Sequence, residues 1–192
     1  HHIYKEIISA SREIQKPMCV SYLGPEATFT HMAAITQFGR SVTYSAQASI
    51  ADVFATVEKD TCGYGVVPVE NSIEGSVNHT LDLFFDSDLK ICAEINYPVS
   101  YDLLSRTGVL SEIEAVHAVP QAFSQCRAWL ATYLPGVRLE ESGNTAHAAR
   151  KAFTDSRCAV IAGREAALMF NLEVAASRIE DIARNTTRFL AV

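Results

Sequence analysis

The sequence predicts an α/β fold built as two small lobes, and three observations carry that prediction. Segments of strand character alternate with segments of helical period from residue 17 onward. About twelve short elements share the chain, which suits two small sheets with helices better than one large sheet. Polar clusters recur where a strand gives way to a helix, the edge at which open α/β sheets bind their ligands.

Residues 3–15 place Ile3, Ile7 and Ile14 on one helical face, with Tyr4 and Ile8 beside it, until Pro17 stops the helix. Cys19–Leu23 reads as a strand that Gly24-Pro25 breaks, and Thr28–Phe38 as a helix. Ser41–Ser45 is a short strand. Ser49 then caps a helix with Ile50, Val53, Phe54 and Val57 at helical spacing. Gly63–Val69 is a near-continuous apolar run, as expected of a buried parallel strand. A helix over Val77–Phe85 and a strand over Leu89–Val99 follow, and Tyr101–Arg106 extends into the second lobe.

The alternation then repeats. Strands are predicted at Ala115–Val119, Val137–Glu141 and Cys158–Ala162. Helices are predicted at Gln121–Tyr133, at the Ala-rich Asn144–Phe153 and at Arg164–Phe170. Val174–Ile179 is extended, and Thr187–Val192 is a final strand. No segment is of low complexity, and no repeat recurs at a fixed period.

Composition narrows the function classes. The chain has 192 residues, 48% hydrophobic and 20% charged, which excludes fibrous and disordered classes. With a net charge of −6 and no Lys/Arg run, a nucleic-acid or membrane-surface partner is not expected. No apolar stretch reaches the roughly 18–20 residues that span a bilayer, and His1–Lys16 reads as no secretory signal. Cys19, Cys62, Cys92, Cys126 and Cys158 form no CxxC pair and no Cys/His cluster. They are expected as separate small core residues of a protein in a reducing cytoplasm, and no metal is expected. His1 and His2 are consistent with a tag remnant.

Four polar clusters stand at strand-to-helix junctions: Gly24–Thr30, Glu70–Ser76, Pro120-Gln121-Ala122 and Ser142–Ala146. A helix N-terminus offers free N–H groups and partial positive charge, so such clusters can hold a carboxylate against the overall field. Ordinary capping explains any one of them. Four at equivalent positions favour a cleft. Asn185-Thr186-Thr187-Arg188-Phe189 adds two hydroxyls and a guanidinium at the start of an apolar strand. Thr187 is read there as a hydroxyl donor, with Arg188 near an anionic group. No GxSxG elbow, Walker loop or GxGxxG is present, so no nucleotide cofactor is implied.

Taken in order, these segments resemble the prephenate dehydratase family. Leu23-Gly24-Pro25-Glu26-Ala27-Thr28-Phe29-Thr30-His31 resembles its opening motif, and Tyr64–Gly75, reading YGVVPVENSIEG, its central one. Val119-Pro120-Gln121-Ala122 with Gln125-Cys126 resembles the second-lobe motif, and Asn185–Phe189 the Thr-Arg-Phe signature. The match covers residues 18–192. Residues 1–15 resemble the closing helix of the chorismate mutase domain fused upstream in bifunctional members, without the rest of that domain. The family's phenylalanine-binding ACT domain has no counterpart here, so the chain is expected to be a catalytic segment.

The resemblance implies a two-lobed fold like type II periplasmic binding proteins, with the active site in the inter-lobe cleft. Residues 1–16 would be the mutase remnant, 17–97 plus 180–192 the first lobe and 98–179 the second. The implied activity is a carbon–oxygen lyase reaction of phenylalanine biosynthesis, prephenate to phenylpyruvate, needing no cofactor or metal. The implied enzyme is a cytoplasmic homo-oligomer acting on a small molecule. Thr187 matches the essential Thr, and Asn71 and Gln121 match the active-site amides. Glu70, Ser72, Thr28, Asn144, Thr145, Arg188 and Phe189 match substrate-lining or signature positions.

The sequence departs from the family pattern at three places. Ala27 stands where Gly is usual, and a positive φ there would strain it. Ala118-Val119 stand where Ser-His is usual, and Tyr101 where His commonly opens the second lobe. Two alternatives stay open: a non-catalytic module binding a small carboxylate, and an arogenate dehydratase.

Overall fold

A computed structural model of the chain describes Glu6 and residues 17–192. Apart from Glu6, the expected helix over residues 3–15, with its mutase resemblance and tag remnant, lies outside the described residues. The described residues form two compact α/β units, residues 17–98 with 186–192 and residues 99–185.

The first unit is built on a sheet of order β2-β1-β3-β11-β5. Its strands are β1 (Cys19–Leu23), β2 (Thr43–Gln47), β3 (Tyr64–Asn71), β5 (Ala93–Pro98) and β11 (Thr186–Ala191), and the short β4 (Gly75–Ser76) pairs with β3. Helix α1 (Phe29–Phe38) covers one face over a core of Val20, Tyr22, Ala33, Ala34, Val66, Ile95 and Phe189. Helices α2 (Ile50–Glu58) and α3 (Asn78–Asp86) cover the other face, where Ile50, Val53, Phe54 and Val67 meet Leu83 and Phe84. Strand β3 is apolar on both sides because both faces are covered. Gly65 permits the close seat of α2: a Cβ there would come 2.9 Å from Val53 and 3.0 Å from Val57.

Strand β3 departs from the expected parallel surroundings. It runs parallel to β1 but antiparallel to β11, which also runs antiparallel to β5. Pro68 has no N–H for the ladder, and the β3–β11 register shifts there, pairing Phe189 with Pro68 and Arg188 with Glu70.

The second unit is a sheet of order β10-β6-β9-β7-β8. Its strands are β6 (Asp102–Ser105), β7 (Ala115–Ala118), β8 (Arg138–Glu141), β9 (Cys158–Ala162) and β10 (Glu173–Ala176). Helix α6 (Thr145–Thr154) buries Ala148, Ala149 and Ala152 completely against it, so small side chains allow a close approach. Helix α7 (Glu165–Phe170) packs beside α6. A 3₁₀ turn at Leu110–Glu112 leads into β7.

The helix expected over Gln121–Tyr133 is two helices, α4 (Pro120–Gln125) and α5 (Arg127–Tyr133), separated at Cys126. The break has a long-range cause. The Asp181 carboxylate accepts from Ala128 N at 2.8 Å and Trp129 N at 3.0 Å, giving α5 an N-terminus of its own. Glu180 likewise accepts from Ser100 Oγ and Tyr101 N, which keeps residues 180–185 with the second unit. The chain thus re-enters the first unit at Thr186.

The cysteines are not five separate thiols. Cys19 and Cys62 form a disulfide, while Cys92, Cys126 and Cys158 are free. The parallel pairing of β1 and β3 brings the two strand starts together, with Gly63 N donating to Cys19 O at 3.1 Å. Among the described residues, no helix is long and apolar enough to cross a membrane.

Candidate active site

The first unit joins two residues 116 positions apart in sequence. Asn71, the last residue of β3, stands opposite Thr187 of β11, and both side chains are buried. The Asn71 Oδ1 accepts from Ile73 N at 2.9 Å and from Glu74 N at 3.1 Å. With its oxygen committed to that turn, the amide must present Nδ2 to Thr187, and it donates to Thr187 Oγ1 at 2.8 Å. Thr187 is therefore an acceptor toward Asn71, which leaves its hydroxyl hydrogen to donate elsewhere.

The backbone around this pair is clamped from both sides. Ser72 N donates to Thr186 O at 2.9 Å, and Ser72 Oγ accepts from Thr186 N at 3.0 Å. On the other side Thr187 pairs with Tyr97 of β5. Ser72 thus holds the entry to β11.

The opening motif lies on the same face of this sheet. Phe29 at the start of α1 packs against Tyr97, ring centroids 6.3 Å apart. Thr28 is the N-cap: its Oγ1 accepts from His31 N at 3.3 Å and donates to Pro25 O at 3.0 Å. Its hydroxyl is spent on the turn, so Thr28 shapes the helix start. Ala27 has φ 64°, the left-handed conformation in which Ala is strained, and its N–H is received by His31 Nδ1 at 3.2 Å.

Glu70 and Arg188 turn away from this pair. Adjacent strand residues face opposite sides of a sheet, so Arg188 points away from Thr187 and Glu70 away from Asn71. There Arg188 meets Glu94 at 3.0 Å and Glu70 at 3.6 Å. The hydrogen bond to Arg188 draws the Glu94 carboxyl below its ordinary range. Phe189 is 1% exposed and belongs to the core beneath α1.

The remaining residues lie in the second unit. Gln121 is in the first turn of α4, behind Pro120. Asn144 caps α6 by accepting from His147 N at 2.8 Å, and Thr145 is the first residue of that helix. Of the departures, Ala118 ends β7 fully buried, and Tyr101 is buried with its carbonyl accepting from Ile179 N. The buried polar groups beside α6 include His117, which burial holds below the usual histidine range. Among the described residues, no group of three or more His, Cys, Asp or Glu is placed to hold a metal ion.

Two contributors escaped the sequence reading. His31 stands inside the opening motif, three residues after its cap, and that spacing is its only local signal. Asp181 has no local signal at all, since it caps a helix more than fifty residues earlier.

Comparison with known proteins places the chain in one family. The family model described as prephenate dehydratase matches residues 20–192. The bifunctional chorismate mutase/prephenate dehydratase of Aquifex aeolicus is 46% identical over 191 residues, covering 100% of this chain and 53% of that protein. The prephenate dehydratase of Lactococcus lactis subsp. cremoris is 37% identical over 175 residues, covering 90% of this chain and 62% of that one. The chain thus spans about half the length of the curated bifunctional relatives it matches. The crystal structure of prephenate dehydratase from Arthrobacter aurescens in complex with L-Phe superposes with a TM-score of 0.81 at 29% identity, over 91% of this chain and 59% of that one. With the family model matched over residues 20–192 and relatives such as that of Aquifex aeolicus 46% identical over the whole chain, this chain belongs to the prephenate dehydratase family.

Proposed function

We propose that the chain catalyses the decarboxylative dehydration of prephenate to phenylpyruvate, a lyase reaction of phenylalanine biosynthesis carried out in the cytoplasm. The observation that carries this reading is the Asn71–Thr187 pair, in which a locked amide leaves a buried hydroxyl poised to donate. In the reaction the ring C–O bond breaks, and the departing hydroxyl takes up a proton as it leaves to become water. The ring carboxylate leaves as CO2, and the electron pair of its C–C bond enters the ring, which becomes aromatic.

Thr187 O–H donates to the departing oxygen. A Thr hydroxyl is a poor acid, so its contribution is a hydrogen bond that strengthens as negative charge develops on that oxygen. The proton that completes water comes from solvent. Asn71 holds Thr187 in the acceptor orientation, and Ser72 holds its backbone. We assign the grip on the side-chain carboxylate to the amides Gln121 and Asn144 and to the start of α6, whose N–H groups suit an anion. Glu70 and Arg188 are left to their own sheet.

The test is phenylpyruvate formation from prephenate by this chain and by its Thr187→Ala and Thr187→Ser variants. It runs at neutral or alkaline pH, because prephenate decomposes in acid. Loss of the donor should lower kcat by roughly 10²–10⁴ with KM little changed, and Ser should restore part of the rate. A folded chain without turnover, or a Thr187→Ala variant as fast as the parent, overturns the reading.

A further inference from the structure

We propose that His31 is a positioning residue of this site: its unprotonated Nδ1 holds Ala27 in the left-handed conformation and so sets the start of α1 beside Thr187. The proposal rests on the functional reading above for its consequence, and on geometry for its substance.

A non-glycine residue at φ 64° is strained by contact between its Cβ and its own backbone, and persists where the surroundings hold it. Here a side-chain acceptor supplies the hold on Ala27 itself. Ala27 N–H is received by His31 Nδ1 at 3.2 Å, across four residues of the motif. The same histidine donates its backbone N–H to Thr28, so it fastens the turn at two points. Its ring is fixed in turn. It stacks on Tyr22 of β1 at 4.5 Å with the planes 9° apart, and meets Tyr44 of β2 edge-on at 5.4 Å. Tyr44 is anchored by its hydroxyl to Gly39 O at the end of α1.

A nitrogen that accepts an N–H carries no hydrogen, so the neutral ring keeps its proton on Nε2. Protonation would put a second N–H against that of Ala27, turning the hold into repulsion. The charged groups that act on the ring are Glu26 in the turn, which favours the cation, and Arg40 beyond α1, which opposes it. Tyr22 and Tyr44 stay neutral, burial holding the Tyr22 hydroxyl up to about 12 and that of Tyr44 higher still. Burial outweighs Glu26 and keeps His31 below the ordinary histidine range. The turn is therefore held at neutral pH and released in acid.

The site follows the turn. Ala27 precedes the cap Thr28, and Phe29 packs on Tyr97, the strand partner of Thr187. Releasing Ala27 moves the wall beside the hydroxyl donor without touching the donor itself.

The experiment compares kcat/KM for prephenate against pH in four proteins, with spontaneous decomposition subtracted. These are the parent, His31→Asn, His31→Leu and the double variant His31→Leu/Ala27→Gly. Asn places its oxygen where Nδ1 stands but does not titrate. The parent should lose kcat/KM on acidification. His31→Asn should keep the neutral value within about threefold and lose that acid limb. His31→Leu should fall about tenfold at every pH. Ala27→Gly should restore most of that loss, because Gly needs no hold at positive φ. An acid limb that survives in His31→Asn, or a His31→Leu variant equal to the parent, overturns the proposal. If the parent does not turn over prephenate, the functional reading fails instead, and nitrogen-15 NMR of the chain alone decides the proposal. An unprotonated Nδ1 at neutral pH, with the Ala27 amide resonance following the His31 titration, supports it. A protonated Nδ1 or an indifferent Ala27 amide refutes it.

Discussion

Replacing Asn71 by Asp separates the orientation of the Asn71 amide from its size. The substituted side chain keeps an oxygen for Ile73 N and Glu74 N, so the turn retains both of its bonds. The atom facing Thr187 at 2.8 Å changes from donor to acceptor. Thr187 then turns its hydroxyl hydrogen toward the carboxylate, and none is left for the departing oxygen. The loss is that of one buried donor aimed at developing negative charge, which is worth about 10²–10³ in kcat, or roughly 3–4 kcal/mol. Acid does not restore the rate, because two N–H groups and one O–H around the carboxylate hold its pKa down. Asn71→Ala is a poorer probe, since it strands both turn N–H groups at about 1–3 kcal/mol each and confounds rate with folding. The assay is initial-rate phenylpyruvate formation, with a urea unfolding curve for each protein. An Asn71→Asp variant that keeps kcat within threefold while folded would refute the orientation argument.

Three further outcomes follow from the same geometry. Arg188→Ala should leave kcat within about threefold and barely move the urea midpoint, because the guanidinium serves the solvent-exposed carboxylates of Glu94 and Glu70; a large rise in KM for prephenate would put Arg188 back on the substrate. Reduction of Cys19–Cys62 opens a link across 43 residues, for which chain entropy gives about 4 kcal/mol, so the melting temperature should drop clearly in excess dithiothreitol; an unchanged melt would remove the disulfide from the stability argument. His117 is held below its ordinary pKa by burial, so the unfolded chain takes up its proton first. The neutral histidine's contribution is present above pH about 6.5 and is lost as pH falls toward the lower folded value. His117→Leu should therefore flatten the fall of the urea midpoint between pH 7.5 and 5.5, and an unchanged slope would show that other groups govern it.

Local chemistry carried much of the fold. Cys19–Leu23 and Cys158–Ala162 form strands with the bounds their apolar runs suggest, and Ser49 and Asn144 cap the helices they precede. Caps, breaks and apolar periods are set by residues within four positions of one another, so they can be read along the chain. The ordered motifs were legible for the same reason, and they point to the family. The Ala27 departure carried its own condition, a positive φ, and the structure supplies it.

The tertiary structure decided what depends on distant partners. That Arg188 meets Glu94 and Glu70 depended on which face of β11 it took, and that was set by pairing with β5 and by the register shift at Pro68. The split of the expected long helix needed Asp181, and the disulfide needed β1 beside β3. The donor direction between Asn71 and Thr187 needed both the turn at Ile73–Glu74 and a strand 116 residues away. A one-residue change in pairing exchanges the two faces of a strand while leaving its composition unaltered. Composition and motif therefore named the chemical groups, and pairing chose which of them share a face.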